Sequence, residues 1–312
     1  MIHMKVGYYP GCTLKGKAKA LDETTQYAVG LLGAELVEIP DWTCCGATTP
    51  LTQTKIANLI AQTRLLSKTR DAGYDALVTT CPFCFSTLRR ANLTLRNDEL
   101  KRKRMNTYLA EDRRLRDYET PPPDYVPYEG ETKVLHLLEW LRDTIGFDRI
   151  ARACKGSRNE TLRVAPFYGC QLLRPAEELA MCDPEDPHIL EDFLRALGLQ
   201  VIGFPERIDC CGSYLSVAKP AAALRASYRI LDAARKLGAD TVAVTCPLCF
   251  FNLDYQQAQM LREYPEFRTI PIMYFTQLLA LSLGVPLDKL GLESHRVDPR
   301  PVLERVPREV PA

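Results

Sequence analysis

Short β-prone apolar runs alternate with longer stretches of helical spacing along most of this 312-residue chain. Lys5 to Tyr9 is the first such run, and it ends at Pro10-Gly11-Cys12. Residues 18 to 32 read as a helix that Gly33 closes. Glu35 to Ile39 predicts a second strand, which leads into Asp41-Trp42-Thr43-Cys44-Cys45. Between Thr54 and Ala72 the apolar residues Ile56, Leu59, Ile60, Leu65 and Leu66 recur at helical spacing, and Gly73 ends the run. Ala76 to Thr79 predicts a third strand, which delivers Cys81. Strands that alternate with helices imply a parallel sheet with right-handed crossovers.

The second half repeats this plan. Val164 to Phe167 predicts a strand leading to Tyr168-Gly169-Cys170, Ala221 to Leu237 a helix capped by Gly238, and Thr241 to Thr245 another strand. Gly73 through Leu88 aligns with Gly238 through Leu253 without a gap, and Val134 to Gly146 aligns with Ile272 to Gly284. Each half therefore reads as a whole α/β domain, the two related by duplication. We expect a first domain over residues 1–150, a second over 151–293, and an extended tail over 294–312, where Pro299, Pro301, Pro307 and Pro311 fall. Three stretches interrupt the repeat. Asn97 to Lys133 reads as a solvated, charge-dense helix followed by the stiff Pro121-Pro122-Pro123. Pro175 to Pro187 is an insertion placed to shape one side of a site. The tail is the third.

Composition narrows the class. A hydrophobic fraction of 46% with 25% charged residues is that of a soluble globular protein. Lys+Arg of 40 against Asp+Glu of 39 argues against nucleic acid as a partner found by bulk electrostatics. The longest apolar stretch, Met273 to Leu287, is broken by Thr276, Gln277, Ser282 and Pro286, so no transmembrane segment is expected. With no apolar signal region near the N-terminus, the expected location is cytoplasmic, a reducing compartment that keeps thiols free.

Ten of the twelve cysteines form one module carried twice. The first is Cys12, Cys44-Cys45-Gly46 and Cys81-Pro82-Phe83-Cys84, with gaps of 31 and 35 residues; the second is Cys170, Cys210-Cys211-Gly212 and Cys246-Pro247-Leu248-Cys249, with gaps of 39 and 34. A disulfide framework belongs to short secreted domains. Zinc takes four ligands, and each module offers five. Adjacent cysteines diverge too far to share one ion, whereas a multi-iron cluster spreads its ligand positions and can use both. Iron–sulfur ligation is therefore the favoured reading, and zinc and disulfides are its rivals. Each ligand group lies just past the C-terminal end of a predicted strand, where open parallel sheets bind ligands, so five distant cysteines converge. Glycine beside Cys12 and Cys45 permits close backbone approach, and the proline of each CxxC suits the first turn of a helix.

At these residues the chain resembles the B-type subunit of heterodisulfide reductase and the wider cysteine-rich CCG family. Phe167-Tyr168-Gly169-Cys170, Arg174-Pro175, Asp183-Pro184 and Cys246 to Asp254 carry the likeness to the heterodisulfide reductase version. The resemblance implies an α/β fold of two duplicated, open parallel-sheet, Rossmann-like CCG domains related by pseudo-twofold symmetry. It implies two noncubane [4Fe-4S] clusters, each held by the five cysteines of its module. It implies a small thiol disulfide, in methanogens that of coenzymes M and B, reduced or formed between them. It also implies two partners, namely a small [4Fe-4S] ferredoxin-like subunit and the flavoprotein subunit of the same complex. The rival from another class is an electron-transfer iron–sulfur subunit of a lactate, glycolate or succinate oxidation complex, since those too carry paired modules.

Two clusters facing one pocket would each give one electron to a disulfide. The substrate is therefore expected between the Cys45/Cys81 side of the first module and the Cys211/Cys246 side of the second. Lys15, Lys17, Arg174 and Lys219 flank the ligand loops and are candidates to attract an anionic thiol, with a solvated surface as the plain alternative. Cys154 and Cys182 belong to neither module and read as small buried apolar residues. His136 and His188 each stand alone and read as structural. No strand is followed by a dinucleotide-binding glycine turn, so the isolated chain is not expected to use NAD(P)H.

Overall fold

A computed structural model describes residues 4–47, 57–117, 126–154 and 161–304. Two four-stranded sheets organise it, and every pairing in both is parallel. The first holds β1 (Met4–Tyr8), β2 (Ala34–Glu38), β3 (Ala76–Thr79) and β4 (Lys133–His136) in the order β2-β1-β3-β4. The second holds β5 (Arg163–Phe167), β6 (Gln200–Val201), β7 (Thr241–Val244) and β8 (Ile272–Tyr274) in the order β6-β5-β7-β8. The strand orders are the same, as a duplication requires. In each sheet the middle strands are buried on both faces, and apolar runs such as Thr241-Val242-Ala243-Val244 are what such strands need.

The helices follow the spacing of their apolar residues. Lys19–Leu31 joins β1 to β2, and Gly33 at φ +78° lets the chain leave it. Ile60–Asp71 joins β2 to β3, preceded by a single 3₁₀ turn at Ala57–Leu59; the expected start at Thr54 lies outside the described residues. Glu99–Asp117 is the expected charge-dense helix, and Pro121 to Pro123 lie outside the described residues. In the second half Pro220–Lys236 ends at Gly238.

The two halves pack through buried side chains. Helix Lys19–Leu31 lies against helix Phe275–Ser282, where the Thr24 and Thr276 hydroxyls meet at 2.8 Å with neither side chain exposed. Phe275 meets His136 of the first half at a tilt and Phe193 of the second edge-on, both at 5.8 Å between ring centres. Burying one such ring is worth about 2 kcal/mol or more, so the pair of domains is held by an apolar seam as well as by polar contacts. Among the described residues no helix is long and apolar enough to cross a membrane; Met273 to Leu287 is instead largely buried as β8 and the helix after it.

The segment after Ser294 departs from the expected extended tail. Both carboxylate oxygens of Asp254 accept from the backbone, one from Val297 N at 3.1 Å and the other from Arg296 N at 2.5 Å. His295 meets Phe250 edge-on at 4.9 Å, and a helical turn at Arg300–Leu303 buries Leu303. Through residue 304 the segment is therefore part of the second domain's packing, because a buried carboxylate there needs the two N–H groups. Residues 305–312 lie outside the described residues.

Candidate functional site: two cysteine modules at one domain interface

The strand order explains how distant cysteines meet. β1, β2 and β3 are neighbours, and Cys12, Cys44-Cys45 and Cys81 each follow the C-terminal end of one of them. β5, β6 and β7 do the same for Cys170, Cys210-Cys211 and Cys246. Cys81 is the N-cap of helix Pro82–Asn97 and Cys246 the N-cap of helix Pro247–Tyr255, with a proline at the start of each. The second cysteine of each CxxC thus sits in a first helical turn, where the free N–H groups work against the burial and neighbouring thiols that raise it.

Within each module the thiols meet in the same pairs. In the second module Cys170 and Cys210 Sγ atoms are 3.8 Å apart, and Cys211 and Cys249 are 3.4 Å apart. In the first, Cys12 meets Cys44 and Cys45 meets Cys84. A hydrogen bond from Cys84 lowers Cys45 to about 7, and one from Cys170 lowers Cys210 to about 6. The contact with Cys249 lowers Cys211 as well, while the same sulfur–sulfur contacts raise Cys84 and Cys249. Thiolate character at neutral pH is what a metal ligand requires.

Two glycines fit this arrangement closely. Gly11 and Gly169 precede the lone cysteines at φ +75° and +67°. A Cβ on Gly11 would lie 2.9 Å from Cys84 Sγ, and one on Gly169 would lie 2.9 Å from Cys249 Sγ. The glycine of each Cys-Cys-Gly also has positive φ; a Cβ on Gly212 would press on the Ala223 backbone at 2.9 Å. Close approach to a sulfur and to a helix, more than turn geometry, is why these positions are glycine.

Neighbouring side chains hold the loops. Gln62 Nε2 donates to the Cys45 carbonyl at 2.6 Å, and Ser227 Oγ and Asn252 Nδ2 donate to the Cys211 carbonyl at 3.1 and 3.0 Å. Gln62 and Ser227 each lie eleven residues before a helix-ending glycine, Gly73 and Gly238, so they are repeat equivalents. Tyr9 donates to the carbonyl of Thr43 at 2.9 Å, and burial followed by the surrounding thiols of Cys84, Cys45, Cys44 and Cys12 holds its phenol protonated. The gap-free repeat, extended backwards, would have found Gln62 and Ser227; nothing local marks Tyr9.

The modules meet across the domain interface. Tyr214, three residues after Cys211, meets Phe83 of the first CxxC at a tilt, 5.4 Å between ring centres. On its other side Tyr214 faces Cys170, Cys246 and Cys210; burial first, and then the charges of these thiols, raise its phenol. Tyr274 at the end of β8 faces Cys246 of one module and Cys81 of the other. Beside this contact lies a cleft of about 290 Å³, with Gln62, Phe83 and Ser86 from the first domain and Gln171, Glu178 and Tyr214 from the second. Arg90 and Glu178 form an ion pair across it, so the insertion after Pro175 does shape one wall.

Other sequence candidates fall elsewhere. Lys15 pairs with Glu38 at 2.7 Å and Asp22 at 3.3 Å, and Arg174 pairs with Glu185 at 2.9 Å, so acidic partners already offset both charges. Lys219 is exposed at the N-cap of helix Pro220–Lys236. Cys154 is buried at the end of helix Phe147–Ala153 and Cys182 is half-buried in the insertion; burial pushes each to about 11. His136 is fully buried, with Nε2 at 3.2 Å from the Thr80 carbonyl and Nδ1 accepting from Leu138 N. His188 is exposed beside Asp186.

The profile of the cysteine-rich CCG domain matches residues 6–89 and 164–254, one match per module. The chain is 30% identical over 93% of its length to the protein named 8-methylmenaquinol:fumarate reductase membrane anchor subunit of Wolinella succinogenes, covering 96% of it. It is 26% identical over 94% of its length to the B-type subunit of the ferredoxin/F420H2-dependent CoB-CoM heterodisulfide reductase of Methanosarcina acetivorans, covering 94% of that chain. Among solved structures, a hypothetical protein from Helicobacter pylori shares the fold at a TM-score of 0.71 and 14% identity; the match takes in 94% of this chain and 51% of that one. The chain belongs to the CCG cysteine-rich family, and its relatives are subunits of multi-subunit reductases.

Proposed function

We propose that this chain is the catalytic iron–sulfur subunit of a heterodisulfide-reductase-like complex, acting on a low-molecular-weight thiol disulfide. Cys12, Cys44, Cys45, Cys81 and Cys84 would hold one noncubane [4Fe-4S] cluster, and Cys170, Cys210, Cys211, Cys246 and Cys249 the other. The donor set fits such a group: ten thiols, three of them lowered towards ionisation, in wide pairs, with the glycines at 11 and 169 leaving room beside a sulfur. When bound, the clusters would supply electrons singly and iron to take thiolate. The chain's own residues fix the ligand loops through Gln62, Tyr9, Ser227 and Asn252, and close the space between the modules with Phe83 and Tyr214. Partners on this reading are a small [4Fe-4S] protein and a flavoprotein of the same complex, in the cytoplasm.

One observation carries the reading: both modules face the same interface, joined at the Phe83–Tyr214 contact beside a cleft. No cysteine lines that cleft, but Gly46 and Gln171 in its wall directly follow Cys45 and Cys170, so a substrate held there would lie beside a ligand loop of each module. The test is Cys81→Ser and Cys246→Ser, each purified anaerobically with the untouched cluster verified by EPR. Both variants should lose disulfide turnover. Near-normal turnover in either would make that cluster a relay and remove the shared-pocket mechanism.

The second reading is electron transfer alone, in a quinol-linked fumarate or succinate complex. The 30% identity to the membrane anchor of a fumarate reductase favours it. Thiol compounds that perturb the EPR spectrum of the holoprotein support the first reading; a spectrum indifferent to them supports the second.

A further inference from the structure

Exposed large apolar side chains gather at the second module. Leu215 and Val217 follow Cys211, and Leu248, Phe251 and Tyr255 lie on the helix that begins at Cys246. Val217 is 96% exposed, Phe251 50% and Tyr255 47%. They form one surface: Phe251 stacks on Tyr255 at 5.1 Å, and Ser216 Oγ bonds Asn252 Oδ1 at 3.1 Å, tying the loop to the helix. Solvated apolar patches of this kind mark interaction sites.

The repeat supplies a comparison within the same molecule. Leu248, Phe251 and Tyr255 are the equivalents of Phe83, Ser86 and Arg90 in the gap-free alignment. In the first domain Phe83 and Ser86 are covered, and Arg90 is paired with Glu178 of the second domain. That helix face is therefore an interface in one copy and open in the other, where its residues are more apolar. Tyr214 belongs to both surfaces: its ring meets Phe83 inside the interface and is 60% exposed outside it. The open patch continues an interface the molecule already uses.

We infer that this surface over the second module is the docking face for a separate protein that carries a one-electron redox centre. The inference rests on the iron–sulfur reading and adds the face to it. Leu248 stands between Cys246 and Cys249, so a protein seated on it lies against the CxxC turn of the second module. The chain has no dinucleotide-binding turn after its first strand, and on the iron–sulfur reading the electrons it passes to a substrate are resupplied by another protein. For every electron the partner gives up this chain gains one, and no bond is made at the contact. Small, apolar and readily reversible contacts are usual for such exchange.

The test places p-benzoylphenylalanine at position 251 in the full-length tagged chain, expressed in the cells that make it natively. After irradiation the chain is purified without air. Iron and sulfide are measured first, because their absence would remove the functional reading without touching the docking face. The cross-linked partner is then identified by mass spectrometry and its own iron, haem or flavin assayed. A cross-link to a chain with such a centre is the expected result. A cross-link to a second copy, to a chain with no redox group, or none at all overturns the inference. The double variant Val217→Glu with Phe251→Glu should keep its iron yet retain about tenfold less of that partner on co-elution. Full retention also overturns it.

Discussion

Gly169→Ala puts the strongest demand on the geometry described above. The added Cβ falls 2.9 Å from Cys249 Sγ, where ordinary contact begins at 3.4 Å, so something must move by about 0.5 Å. Metal–ligand distances tolerate about 0.2 Å, so the displaced atom cannot be the thiolate without loss of ligation. The backbone gives no easy escape, because Gly169 has φ +67° and continues from the centre of the sheet. A left-handed alanine costs about 1–2 kcal/mol by itself.

That backbone cost can be measured separately. Gly73 has φ +81° and no atom within 4 Å of an added methyl, so Gly73→Ala carries the conformational cost without the contact. The assay is iron and acid-labile sulfide per chain on anaerobically purified protein, with a thermal melt of each variant. Gly73→Ala should keep its metal and melt a few degrees lower, as about 1 kcal/mol implies in a domain of this size. Gly169→Ala should lose about half the iron, with the EPR signal of one cluster absent, and Gly11→Ala should lose the other half. If Gly169→Ala keeps full iron and melts with Gly73→Ala, the sulfur contact does not set the identity of that glycine and the argument is wrong.

Wild-type protein should hold iron and sulfide on the order of eight atoms each, and stoichiometric zinc without sulfide would replace the iron–sulfur reading by a structural one. Cys154→Ser and Cys182→Ser should keep full metal, since each module has its five cysteines without them; loss of a cluster in either variant would show a wrong ligand partition. Burial lowers His136 from 6.5 to about 3, so between those values the unfolded chain takes a proton that the folded one refuses, and stability falls as pH falls. Between pH 7 and pH 5 that amounts to about 2 kcal/mol, and His136→Gln should remove it from the difference in urea midpoints at the two pH values. An unchanged difference would mean that His136 is protonated in the fold.

Much of the site was legible because its signal is local. Cysteine order, glycine caps and short apolar runs pointed to five of the strands and placed every cysteine group but Cys210-Cys211 at the end of one. β6 was not legible, since Gln200–Val201 is two residues long and is defined only by its ladder to β5, where Gln200 N and Ile202 N donate to the Leu162 and Val164 carbonyls. The pairing of Cys12 with Cys44 and Cys45 with Cys84 depends on strand order, which no spacing reveals. The docking of the segment after Ser294 depends on Asp254, forty-odd residues earlier, whose charge gives no local sign that two backbone N–H groups will reach it.

The differences between the copies say more than their likeness. Position for position, Gln62 stands against Ser227, and Phe83, Ser86 and Arg90 stand against Leu248, Phe251 and Tyr255. The first exchange preserves the role: each loop is still held by a hydrogen bond to the carbonyl of its second adjacent cysteine. The other set does not, because it turns a half-polar face into an apolar one at the place where the partner domain stops covering it. Apolar side chains left in water gain none of the free energy that burial gives them. The open apolar face beside the cysteine loops is accounted for once something else covers it.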